Sequence, residues 1–141
     1  MTPKDYLHQA YRLDQKISSD LEEVAALHEM TSSVTTPQLS ERVQTSKKND
    51  AAFVRTMEQI IELEERINRE IELLMKLKRE IRDIISSVKD TDERMVLKYR
   101  YVHNYTWEQI GTELNADART VRRWHGNALQ HVILPDNPIT I

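Results

Sequence analysis

The feature that most constrains this chain is a seam of apolar residues that returns every seven positions. Positions 53, 57, 60, 64, 67, 71, 74, 78, 81, 85 and 88 alternate steps of four and three, and nine of these eleven are apolar. Phe53, Ile60, Ile67, Leu74, Ile81 and Val88 carry the repeat, while Glu64 and Lys78 interrupt it. A period near 3.5 keeps one stripe of an α-helix against a partner helix over many turns, whereas a strand alternates faces every second residue. The spacing predicts a helix capped by Asp50 and running to about Val88, roughly 60 Å long at about 1.5 Å per residue. Leu63, Leu73 and Leu77 widen the stripe, so more than one neighbouring helix is expected.

A second amphipathic pattern precedes it. Tyr6, Ala10, Leu13, Ile17, Leu21, Val24 and Leu27 recur at helical spacing over residues 4–30, with Thr2-Pro3 as a start signal. Between the two patterns, residues 31–49 hold eight Ser or Thr among nineteen, plus Pro37. Their hydroxyls compete for local backbone hydrogen bonds, so a surface loop is expected, docked through Val34, Leu39 and Val43 if it is ordered. The two helices would then form a long antiparallel, coiled-coil-like hairpin over 1–89. Two helices make a poor dry core, which points to a homodimer through these helices or to packing on the C-terminal unit.

With 141 residues, the chain holds one domain or two small ones. It has no Cys, which excludes disulfides, thiolate zinc sites and a thiol nucleophile. Two Gly and 6% aromatic residues leave little for loops or sheet, so the fold class expected is all-α. No apolar run reaches the roughly 20 residues needed to span a bilayer. The opening Met1-Thr2-Pro3-Lys4-Asp5 does not resemble a signal peptide, so no membrane partner and a cytoplasmic location are expected. His8, His28, His103, His125 and His131 all lack a Glu three residues upstream, the pairing that builds carboxylate-bridged metal sites in helical bundles. No Gly-rich phosphate loop is present either. The expectation is a protein without cofactor or metal, and not an enzyme.

From Asp90 the pattern shortens into three helices, about 91–103, 107–114 and 118–132, followed by a tail over 135–141. Asp90 or Thr91 suits the first cap, and Thr106-Trp107-Glu108-Gln109 reads as a capping box. Gly111 is placed where a side chain would block close approach of the next helix. Asn115 suits a left-handed turn, and Asp117 a cap for the last helix. Val121, Trp124, Ala128 and Leu129 are expected to turn inward, leaving Ala118, Arg119, Thr120, Arg122 and Arg123 outside. Trp107 and Trp124 fall on apolar faces and read as core, while His125 could meet phosphate or water. A short capped helix, a tight turn and a second capped helix form a helix-turn-helix over 90–134, whose second helix enters the major groove by its N-terminal residues. Arg suits guanine edges and phosphate equally. Net charge is −3, and residues 90–141 carry six basic against seven acidic groups, so any attraction to nucleic acid must be local.

The stretch Glu93–Val132 resembles the region 4 helix-turn-helix of housekeeping bacterial sigma factors. It shares Arg94 to Tyr101 loosely, Thr106–Gly111 closely, and Thr120–Arg122 with Ala128-Leu129. The whole chain also resembles a family of small proteins from prophages and integrative elements, through Ser33–Gln44 and Leu63–Ile71. Phage late-gene activators of the RinA and ArpU type share the sigma-like end. The resemblance implies a transcriptional regulator of a phage or mobile element, acting as an activator, that is not a complete sigma factor. Such a regulator would bind double-stranded DNA through Arg119, Thr120, Arg122 and Arg123, with Thr106 and Asp117 as caps whose helix N–H groups would approach the DNA backbone. RNA polymerase is a further partner it suggests. Two other readings stay open: a packaging component resembling the small terminase subunit, and a polymerase-binding adaptor that does not read DNA.

Overall fold

The computed structural model describes residues 1–35 and 43–141, with side chains described outside 33–49. Every regular element among them is helical. Helix α1 spans Pro3–Thr35 and α2 spans Val43–Ser86; α3 (Thr91–Leu97), α4 (Trp107–Leu114) and α5 (Ala118–Gln130) follow. No helix among the described residues is long and apolar enough to cross a membrane.

Both long helices outrun their expected ends. The α1 helix continues past residue 30 because the Thr31 hydroxyl bonds back to the carbonyl of His28 at 2.7 Å, satisfying itself inside the helix instead of breaking it. Because α2 begins at Val43, Asp50 lies within the helix and is not its cap. The rest of the expected loop, and the proposed docking of Val34, Leu39 and Val43, lie outside the described residues.

The seam on α2 keeps its period but is rotated from the expected register. Ile60, Ile67, Leu74 and Ile81 are buried as expected, and so is Val88, just beyond the end of the helix. The positions between them shift one residue earlier, to Leu63, Glu70, Leu77 and Ile84, with Ile85 buried as well. Phe53 and Ile71, assigned to the seam, are each 37% exposed. The rotation brings Leu63 and Leu77 inward in place of Glu64 and Lys78, at the cost of taking Glu70 in for Ile71. Two leucines outweigh one isoleucine by roughly 1.5–3 kcal/mol of burial.

The chain forms two compact units, Gln15–Glu72 and Met1–Asp14 with Leu73–Ile141. In the first, Lys16 lies 3.0 Å from Glu70, Arg66 3.7 Å from Asp20 and His28 3.5 Å from Glu64. Partner numbers rise along α1 as they fall along α2, so these segments run antiparallel. Asp20 and Glu70 are buried, as are Ile17, Val24, Ile60, Leu63 and Ile67 of the same unit. Asp20 Oδ2 and both Glu70 carboxylate oxygens accept no hydrogen bond among the described residues, and Lys16 sits close to Glu70 without hydrogen-bond alignment. A buried carboxylate held only by a largely exposed cation is poorly compensated.

In the second unit, Tyr6 and Leu7 at the start of α1 are fully buried. The Tyr6 hydroxyl donates to Glu80, whose Oε1 also accepts the N–H of Ile139 at 3.0 Å. Gln9 completes the grip on the tail: its Nε2 donates to the Ile139 carbonyl at 3.0 Å, and its Oε1 accepts the Ile141 N–H at 2.9 Å. Burial and the Glu80 carboxylate together push the Tyr6 phenol well above its ordinary range, so it remains a donor. Further along, Val96, Ile110 and Val121 are completely buried and join α3, α4 and α5, with Tyr99, Tyr105, Trp107, Leu114, Ala116 and Trp124 packed around them.

The joint between α4 and α5 follows from three adjacent choices. Asn115 adopts the left-handed conformation at φ 53°, ψ 46°. This brings the Ala116 N–H to the Gly111 carbonyl at 2.9 Å. A Cβ on Gly111 would drive into the Ala116 carbonyl oxygen, so the close approach involves the turn itself and not the following helix.

Two outcomes are expected in urea denaturation followed by helical circular dichroism. Gly111→Ala should destabilise by roughly 1–3 kcal/mol despite alanine's better helix propensity. Glu70→Leu should instead stabilise by about 1 kcal/mol or more, since it removes a poorly compensated buried charge.

Candidate nucleic-acid interface

The N-terminus of α5 is fixed by Asp117, whose carboxylate accepts the Thr120 N–H at 2.7 Å. Hydrogen bonding to Thr120 holds this exposed carboxyl below its usual range, with smaller help from Arg119 and Arg123. Thr106 plays the same part for α4. Its hydroxyl accepts the Gln109 N–H at 3.2 Å, and the Gln109 amide oxygen accepts the Thr106 N–H at 2.8 Å, closing a capping box. Asp90 caps α3 by accepting the Glu93 N–H at 3.0 Å. Of the two candidates for that cap, the aspartate is the one used.

Arg119, Arg122 and Arg123 are exposed on α5, and Thr120 and Ala118 beside them are half-buried. None of the three arginines forms an ion pair among the described residues. The other arginines of residues 90–141 are engaged in the fold. Arg94 donates to the Val88 carbonyl at 2.9 Å. Arg100 donates to the Tyr105 carbonyl at 2.9 Å and stacks 4.2 Å over Trp107. The near balance of charge over this stretch therefore hides an uneven distribution, with three guanidinium groups that form no ion pair among the described residues gathered on one helix that has no acidic residue.

The inward face of α5 holds a residue that the sequence reading left undecided. His125 is 7% exposed, and its Nε2 shares a 2.6 Å hydrogen bond with the Tyr101 hydroxyl. Trp107 meets the imidazole edge-on with centroids 4.8 Å apart. Burial first, and the Arg100 guanidinium second, push His125 down to about 4. Burial likewise pushes the Tyr101 phenol up to about 12. The pair is neutral at pH 7, and His125 belongs to the buried side of α5 and not to its exposed face. The buried stripe of α5 and its continuation is Val121, His125, Ala128 and Val132, with Trp124 and Leu129 only half-buried. Spacing alone contained that stripe, since 121, 125, 128 and 132 step by four, three and four, and histidine's polarity concealed it.

Tyr101 reaches His125 because the backbone changes pitch. Residues Lys98–Val102 form a π-helical turn after α3, in which the His103 N–H reaches back to the Lys98 carbonyl at 3.2 Å. The turn ends at Asn104, left-handed at φ 58°. The side-chain amide of Asn104 donates to Asp14 at 3.3 Å. No local sequence signal marks a π-turn, which holds an extra residue per turn and survives through the contacts it permits.

A family described as "Protein of unknown function (DUF1492)" matches residues 32–132. The chain belongs to that family. The DUF1492 match takes in α2 through α5, including the capping box, the left-handed turn and the arginine face. No curated protein and no solved structure matches the chain.

The His125 environment predicts a pH dependence. A histidine held below its ordinary value near 6.5 is stabilising while neutral, so its contribution is complete above about pH 6.5 and is lost as pH falls toward 4. The urea midpoint should fall between pH 7 and pH 5 in the native sequence and fall less in His125→Leu. Equal slopes for both proteins would show that His125 is not the proton-linked group.

Proposed function

We propose that this DUF1492 protein is a sequence-specific DNA-binding transcriptional regulator that uses α4 and α5 as a helix-turn-helix. The observation that carries the reading is the acid-free outer face of α5, where Arg119, Arg122 and Arg123 stand exposed and without ion pairs among the described residues. Asp117 and Thr106 support it by holding two helix N-termini in capped form, the ends that carry N–H groups suited to phosphate. Arg122 and its neighbours would contact base edges or phosphates, and Thr120 would lie beside them.

The resemblance to sigma region 4 and to prophage-encoded proteins extends this reading to activation of mobile-element genes, with RNA polymerase as a further partner. If the protein dimerises through α1 and α2, its site should contain two half-sites about 34 Å apart, or a multiple of that. One observation favours the polymerase-binding adaptor instead: residues 90–141 carry slightly more acid than base, which weakens non-specific attraction to DNA.

Selection of bound duplexes from a random library tests the assignment, with Arg119/Arg122/Arg123→Ala as the comparison. An enriched motif that the triple variant loses is the expected result. Arg122→Ala alone should cost about 1–3 kcal/mol and relax preference at one base pair if it reads a base edge. Equal, weak, unselective binding by both proteins would overturn DNA reading, and binding to core polymerase without DNA would then favour the adaptor.

A further inference from the structure

Gly126 lies within α5, on its exposed side, and a Cβ there would meet no atom within 4 Å beyond its chain neighbours and the nearby backbone of its own helix. Its φ is not positive, so the backbone there suits any L-residue. Neither packing nor conformation asks for glycine, although glycine is the poorest interior helix former after proline. Its position suggests a reason. Residues 119, 122, 123, 126, 127 and 130 recur at steps that keep them on one side of a helix, and all six are exposed. Gly126 is a gap in the centre of that side, with three guanidinium groups N-terminal to it and the amides of Asn127 and Gln130 C-terminal.

The side chains of Asn127 and Gln130 make no hydrogen bond among the described residues. Asn and Gln amides match the donor and acceptor pair on the major-groove edge of adenine, as Arg matches guanine. Recognition by the first turn of a helix alone leaves the third turn too far from the bases for such amides to reach them. A missing side chain at the middle of the row lets the helix lie deeper along its length.

We propose that Gly126 is the point of closest approach between α5 and the major groove, and that Asn127 and Gln130 extend base reading beyond the arginines. This rests on the DNA-binding reading above. The geometry distinguishes two classes of contact on one helix: guanine or phosphate contacts near the N-terminus, and adenine contacts a turn or two later.

The test measures binding of the full chain to the duplex enriched by the native protein, together with base preference at each position. The variants are Gly126→Ala, Asn127→Ala, Gln130→Ala and Arg122→Ala. Gly126→Ala should unfold at higher urea than the native protein and yet bind at least about fivefold more weakly, the lower end of what a lost bidentate base contact costs. Asn127→Ala and Gln130→Ala should each relax preference at a base pair that Arg122→Ala leaves unchanged. If Arg122→Ala loses binding while the Gly126, Asn127 and Gln130 variants bind and select as the native protein does, the extended surface is wrong and reading by the first turn stands. If the native protein enriches no duplex, the DNA-binding reading falls and this proposal falls with it.

Discussion

Everything α5 presents to its surroundings depends on a backbone contact in the joint before it. The left-handed Asn115 turns the chain, the Ala116 N–H closes on the Gly111 carbonyl, and the space a side chain would occupy at Gly111 belongs to the Ala116 oxygen. Left-handed backbone costs an ordinary L-residue roughly 1–2 kcal/mol, which asparagine's short amide reduces. With the joint closed, Ile110 and Val121 reach Val96, and the three short helices share one core. The direction of the arginine face follows from that packing.

Caps and turn chemistry were the most legible part of the sequence. Thr106 with Gln109, Asp117 and Asn115 each act within a few residues, so local rules suffice to place them. Gly111, by contrast, meets the turn and not the next helix, and Asp50 lies inside α2. The seam on α2 was legible in period and misread in phase. Every seventh residue is common to both registers, so only the residues between them separate the two, and there Glu70 is buried where Ile71 had been assigned. Tertiary packing settles such a choice, because a helix rotates as a body and accepts one unfavourable residue to gain two favourable ones. His125 escaped because its partner Tyr101 lies 24 residues away and arrives by a π-turn that leaves no mark on the periodicity.

Polar groups do two kinds of structural work here. Around His125 they are satisfied: Tyr101 takes one side of the imidazole, Trp107 packs edge-on, and Arg100 is occupied by Tyr105 and the indole face. At Asp20 and Glu70 they are not, and the paired cations stand largely in solvent. Lys16 with Glu70 and Asp20 with Arg66 still favour one antiparallel alignment over others, because a slip along the helix would leave both carboxylates buried with no cation near. Stability is lost locally while alignment is gained, as with polar residues in coiled-coil seams.

The division of α5 into two faces has a consequence for how such a protein can change over generations. Val121, His125 and Ala128 are buried and tie the helix to its neighbours, so changing their size or polarity opens a cavity, forces overpacking or leaves Tyr101 unpaired. The outer residues Arg119, Arg122, Arg123, Gly126, Asn127 and Gln130 are exposed, and surface substitutions of that sort usually stay within about 0.5 kcal/mol. One face is therefore held by stability while the other is free to drift. Changes can accumulate on the outer face of this helix without first passing through an unstable intermediate.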